Sequence, residues 1–223
     1  MSLICQCPAA TAITTIPNVQ CPENFGQIQK VAFQRLRQAD GTENTFPKVT
    51  GTPNSASIVL KANWTSKMSA ANGTKIVISP YINAPADSGG DARMSSGGND
   101  DLGGIPTVLG GNPVQFEGQL RACPQDVIKI MKELQCEAAA GNLGVYLFDE
   151  NGNIEAIKDP SDTDGLTFKP IPIRALFIGS KIHGNYDAKD MNSISWQYPD
   201  NYSDNLDIVK PSDFNPLTDL IPA

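Results

Sequence analysis

Few residues of this sequence have the types and spacing that chemistry needs. Histidine occurs once, as His183 next to Gly184. A general base needs a nucleophile and an orienting group within reach. No Gly-x-Ser-x-Gly elbow and no phosphate loop accompanies it. His183 is therefore read as a turn or packing residue at a strand end. Asp159, Asp162 and Asp164 form an acidic loop. Asp159 and Asp164 could divide acid and base roles only if something desolvated one of them, and a polar loop does not. Asp149, Asn151 and Asn153 imitate the first three ligands of a calcium loop, but Ile154 stands where the sixth position requires Gly. That stretch is read as a tight turn. No catalytic, cofactor-binding or metal-ligating residue is expected, no cofactor is called for, and the chain is read as non-enzymatic.

The five cysteines are Cys5, Cys7, Cys21, Cys123 and Cys136. Zinc takes closed sets of four ligands, usually in pairs two to four residues apart. Only Cys5 and Cys7 are close, and too close for a knuckle. Cys123 and Cys136 stand near opposite ends of an expected helix, ~20 Å apart at 1.5 Å per residue, so they cannot share one metal. They are read as free thiols. An odd count, without a secretory leader at Met1–Cys7, argues against a disulfide framework. The glycosylation-type triplets at Asn63, Asn72 and Asn201 are then chance matches.

Composition narrows the class. Hydrophobic residues make up 40% and charged residues 18%, which excludes disorder throughout. A net charge of −7 argues against nucleic acid as a primary partner, since phosphate binding needs clustered Lys and Arg. No apolar run reaches the ~20 residues of a membrane helix. The 19 Gly and 17 Pro, with one clear helix, point to many turns between strands.

The elements that would position any site are clearest over 112–159. Val114–Leu120 alternates and leads into a helix over 124–140. Pro124 suits the first helical position and Asp126 the positive end of the helix dipole. Val127, Ile128, Met131, Leu134 and Ala138 share one face. Gly141–Asn142 stops the helix, Leu143–Phe148 is a strand, Glu150–Asn153 a turn, and Ile154–Ile157 the return strand. Further strands are expected over 28–36, 57–64, 75–82, 168–182, 193–198 and 206–209. Pro170 and Pro172 would put the start of 168–182 on a sheet edge.

The fold class is therefore mainly β (α+β): a β-sandwich or half-barrel with one packed amphipathic helix and a long Gly-rich loop. Residues 1–27 are read as an extended N-terminal arm, 28–211 as one β-rich domain, and 212–223 as an extended C-terminal tail. The Gly-rich loop spans 84–112 and holds four Gly-Gly pairs. Segments of that length without structure tend to be functional or disordered.

With these elements in place, the layout resembles that of phage tail tube proteins and related tube-forming virion proteins. The stretches CPENFGQIQKVAFQRL (21–36) and SISWQYPDNYSDNLDIVKP (193–211) are similar in character to prophage structural proteins. The likeness spans 28–211. The Cys-containing arm and the Gly-Gly pairs have no counterpart in that pattern. The resemblance implies a self-assembling virion subunit, made in the bacterial host cytoplasm. It also implies a homo-oligomeric ring, hexameric in that family, with other virion proteins as partners. Neither membrane nor sequence-specific nucleic acid is implied. The competing reading is a carbohydrate- or surface-binding β-sandwich module that uses Trp64, Trp196, Tyr198 and Tyr202 as stacking faces, although both Trp fit the core better.

Overall fold

Strand formation follows the alternation of apolar side chains. A computed structural model of the protein describes residues 16, 18, 24–50 and 55–221. Within it, β1 (Ile28–Arg35) turns Val31 and Phe33 to one core and Ala32 to another. A short ribbon of β2 (Lys48–Val49) and β3 (Ser55–Ala56) follows. Then come helix α1 (Lys61–Met68), β4 (Ile76–Ile78), β5 (Asn83–Ser88), β6 (Ala92–Met94), β7 (Val108–Gly111) and β8 (Gln115–Arg121). Helix α2 (Gln125–Ala139) precedes β9 (Leu143–Asp149), β10 (Ile154–Lys158), β11 (Phe168–Lys169), β12 (Ile171–Ile178), β13 (Met191–Gln197) and β14 (Leu206–Val209).

β9 is the centre of the fold, with every residue buried. It pairs along its length with β1 on one side. On the other side its first half pairs with β12 and its last residues with β10. β10 also pairs with β14, and β1 with β4. A second layer runs β12–β13–β8–β5. β12 belongs to both layers: Ile171–Ile173 pairs with β9, and Arg174 onward pairs with β13. The change falls at Ala175, where φ is +51° and the register shifts between Arg174 and Phe177. A bulge of this kind bends a strand and re-aims it. Ala84 does the same in β5, at φ +49° with a register shift between Asn83 and Ala86. Between β4 and β5 the N–H groups of Ser79 and Ile82 donate to the carbonyls of Val31 and Gln29, which ties the second layer back to β1. The result is a mainly antiparallel sandwich that approaches a half-barrel.

Two cores result. One lies between the layers and holds Val31, Phe33, Phe116, Leu120, Leu147 and Trp196. Helix α2 closes it through Ile128, Met131 and Ala138, with Val127 and Leu134 packed beside them, so the expected helical face is the buried face. Gly141, at φ +70°, ends the helix as expected. The other core covers the outer face of β1, β9 and β10, where Trp64, Phe46, Tyr146, Phe148 and Leu220 meet.

Several expectations change. Residues 57–64 form no strand: Ser57–Val59 is a 3-10 turn, and Lys61 begins α1. The apolar run Ile58–Leu60 looked like a strand, whereas only Trp64 of α1 is buried, so no helical period shows. The described residues thus hold two α-helices. Residues 84–112 are not structureless, because β5 joins the second layer and β6 pairs with β7. The start of 168–182 does lie at a sheet edge as expected: Ile171–Ile173 pairs with β9 alone, so Pro172, opposite Gly144, has a free side on which its missing N–H costs no ladder bond. Residues 212–221 are not an extended tail: Phe214 and Leu217 pack on the outer core and Leu220 is fully buried. Most of the 1–27 arm, with Cys5, Cys7 and Cys21, lies outside the described residues, as do residues 222 and 223.

Candidate functional site

The side chains with chemical potential are scattered rather than convergent. The exposed imidazole of His183 has Nδ1 3.8 Å from Asp190, whose carboxylate also holds Lys181 Nζ at 2.6 Å. Asp159 caps its own loop, accepting from the Ser161 N–H at 3.0 Å and Oγ at 2.7 Å; those bonds hold its carboxyl below the usual range. Asp164 pairs with Lys48. The two carboxylates therefore serve separate partners. Cys123 is half-buried against the inner core, and burial pushes its thiol up; Cys136 is exposed, and both are free. Asn63 donates its amide to the Ser57 carbonyl at 2.9 Å.

Asp149 organises the β9–β10 turn. Its carboxylate accepts from the N–H groups of Gly26, Asn151 and Asn153 and from Asn153 Nδ2, at 2.7–3.1 Å. Four donors on one buried carboxylate explain why this Asp-x-Asn-x-Asn pattern makes a turn. Trp64 and Trp196 are buried, so neither offers a stacking face. Tyr198 is buried too, and Tyr202 stacks on it with ring centroids 4.2 Å apart. The four aromatic residues of the binding-module reading are thus committed to the interior and its rim.

At one mouth of the sandwich, sequence-distant groups meet. Asp87 lies on β5 opposite Phe116, on the inner face of one layer. Glu155 lies on β10 opposite Leu147, on the inner face of the other. Burial, then the charges of Asp87 and Asp149, push the Glu155 carboxyl up to about 7. Burial raises Asp87 as well. Tyr198 is raised first by burial, then by Asp87. The Trp196 indole N–H faces the Tyr198 oxygen, yet neither atom has a partner of ordinary hydrogen-bond geometry among the described residues.

The surfaces suited to association are more developed. β6 and β7 form a two-stranded ribbon of their own, with every residue exposed. Met94, Ile105, Val108 and Leu109 on it are 57–68% exposed. Gly89 and Gly90, at φ +95° and +80°, let the chain leave β5, and the Asn112 N–H donates to the Asp91 carbonyl at 2.8 Å to hold the ribbon base. A Cβ on Gly89 would stand 2.3 Å from the Pro113 carbonyl oxygen, so only glycine fits. Among the described residues β4, β5 and β14 each have one strand neighbour. Beside the free edge of β4 runs a largely apolar groove of about 600 Å³, between α1, α2 and Ile221.

Charge is segregated as well. Between Glu43 and Asp87 there is no Asp or Glu, only Lys48, Lys61, Lys67 and Lys75. Over 87–111 the balance reverses, with Asp87, Asp91, Asp100 and Asp101 against Arg93. Sequence reasoning passed over both features. The signal was present in the spacing of acids and in Val108–Leu109 between Gly-Gly pairs.

No family model matches the chain, and no curated protein matches it. Among solved structures, the chain is similar to one described as "Tail of empty GTA particle computed with helical refinement, C6 symmetry", at 11% identity and a TM-score of 0.30. The match covers 53% of this chain and 77% of that one.

Proposed function

We propose that this chain is a non-catalytic, self-assembling structural subunit of a phage-type virion, building stacked rings as a tail tube does. The observation that carries the proposal is the β6–β7 ribbon. It holds four large apolar side chains in water and buries none of its own strand residues. Exposed apolar side chains of this kind are what association covers, at about 25 cal/mol per Å² removed from water.

Two further features support the reading. Strand edges with one neighbour are a hazard for an isolated copy, and closed ring symmetry pairs them. The net charge of −7 suits a conduit through which a polyanion slides without sticking. The layout of 28–211 resembles that of tail tube proteins, which supports reading the subunit as a virion component with other virion proteins as neighbours. Synthesis in the bacterial host cytoplasm follows from the same likeness. Among the described residues no helix is long and apolar enough to cross a membrane.

Light scattering on a sizing column, followed by negative-stain imaging of each peak, tests the proposal. Rings or tubes are the expected species, and six-fold rings the expected symmetry. A 23.8 kDa monomer at the highest soluble concentration, with no larger species, would overturn it.

A further inference from the structure

We propose that the β6–β7 ribbon of one copy docks in the groove beside β4 of the next, a contact that rests on the self-assembly reading above. Three independent properties of the two surfaces match. The first is polarity. The ribbon presents Met94, Ile105, Val108 and Leu109, and the groove is lined by Met68, Ile76, Val77, Ile78, Ile130 and Ile221. Ile130 is 56% exposed although it sits on a helix whose other face is core.

The second is backbone hydrogen bonding. β4 pairs with β1 alone, and β6 and β7 pair only with each other. Each surface therefore has a row of strand donors and acceptors without a sheet partner among the described residues. An extended segment laid along β4 satisfies both rows, as in strand addition.

The third is charge. Apart from Ile130 and Ile221, the groove's lining residues fall in the longest stretch of the chain without Asp or Glu, and Lys75 is the charged residue among them. Lys75 makes no ion pair among the described residues. The ribbon segment, 89–111, carries Asp91, Asp100 and Asp101 against Arg93. Two copies of an acidic protein repel at most orientations, and this pairing is the one that opposite charge favours. Because ribbon and groove are different patches, the contact is head-to-tail. It closes into a ring or extends as a stack, and it is not a two-fold dimer.

The test uses two variants of the full chain. The ribbon variant is Val108→Asp with Leu109→Asp, and the groove variant is Ile130→Asp with Lys75→Glu. All four positions are exposed, so each variant should keep the thermal midpoint of the parent. Each variant alone is expected to need about tenfold or more concentration to assemble. Mixed one to one, the variants should form heterodimers and grow no further, since each retains one intact surface. Either variant assembling like the parent would refute this contact and leave self-assembly standing. Variants that fail singly and also fail to pair on mixing would refute the match between these two surfaces. A parent that stays monomeric would defeat self-assembly itself, and this contact with it.

Discussion

Two hairpins of this chain are built on opposite terms. In the β9–β10 hairpin, all of β9 is buried, one face against each core. Its turn is held by one carboxylate with four donors. In the β6–β7 hairpin no strand residue is buried. Its connection is held locally by the Asp101 carboxylate on the Gly97 N–H at 2.6 Å and by Thr107 N–H on Ser95 Oγ at 2.8 Å. The first derives its order from tertiary packing. The second has backbone pairing and local polar bonds but no buried strand residue, and an isolated two-stranded ribbon is marginal in water. The contrast is that one hairpin is finished within the monomer, whereas the other leaves its apolar side chains in water, where the proposed contact would cover them.

The largest effect should come from uncovering β9. Trp64 packs against Phe46 with ring centroids 4.7 Å apart, meets the rings of Tyr146 and Phe148 edge-on, and donates its Nε1–H to the Ile58 carbonyl at 2.7 Å. Trp64→Ala should cost about 3–5 kcal/mol in denaturant unfolding. A loss below 1 kcal/mol would mean the outer core does not support β9. Asp149→Ala removes the acceptor of four part-buried donors and should cost about 1–3 kcal/mol, read as a drop in the midpoint of chemical denaturation. A midpoint equal to the parent's would show that water replaces the carboxylate at no cost.

The third effect depends on pH. Glu155 holds its proton more tightly in the fold than in the unfolded chain, at about 7 against an ordinary 4.5. Stability from this group is full below about 4.5 and is lost as pH rises to about 7, where it levels off. Glu155→Gln should flatten that fall relative to the parent and leave the variant more stable at pH 8. Parallel pH profiles for the two proteins would remove Glu155 from the account. The smallest effect is expected on the other hairpin. Leu109→Ser should change the stability of the monomer by less than about 0.5 kcal/mol. A larger loss would show that the ribbon is packed within its own chain.

What the sequence discloses follows the same division. Helix α2 and the start of β10 were legible because burial imposes a period on them, and β9 because it is a short apolar run between turn signals. Val127, Ile128, Met131, Leu134 and Ala138 all reach the inner core. Helix α1 was hidden because a helix with one buried residue has no period to show. The Gly-Gly pairs over 84–112 suggested flexibility, yet Gly89, Gly90, Gly97, Gly98, Gly103, Gly104 and Gly110 all adopt positive φ, so they shape turns and the ribbon base. The meeting of Asp87 with Glu155 was beyond local reading, because the two lie on different layers and only the sheet order joins them. The absence of acids between Glu43 and Asp87 was visible in the string, but it acquired meaning only beside a groove.

Because β12 is shared by both layers, the fold also has a path for mechanical load. Backbone pairing runs unbroken from β5 through β8, β13, β12, β9 and β10 to β14. A pull on the ribbon enters at Ser88, beside the ladder of β5, and is carried from strand to strand by hydrogen bonds. Two sheets held together only by side chains would part at their apolar seam under the same tension. Here a covalent strand crosses that seam, so force reaching one face of the subunit is delivered to the far edge.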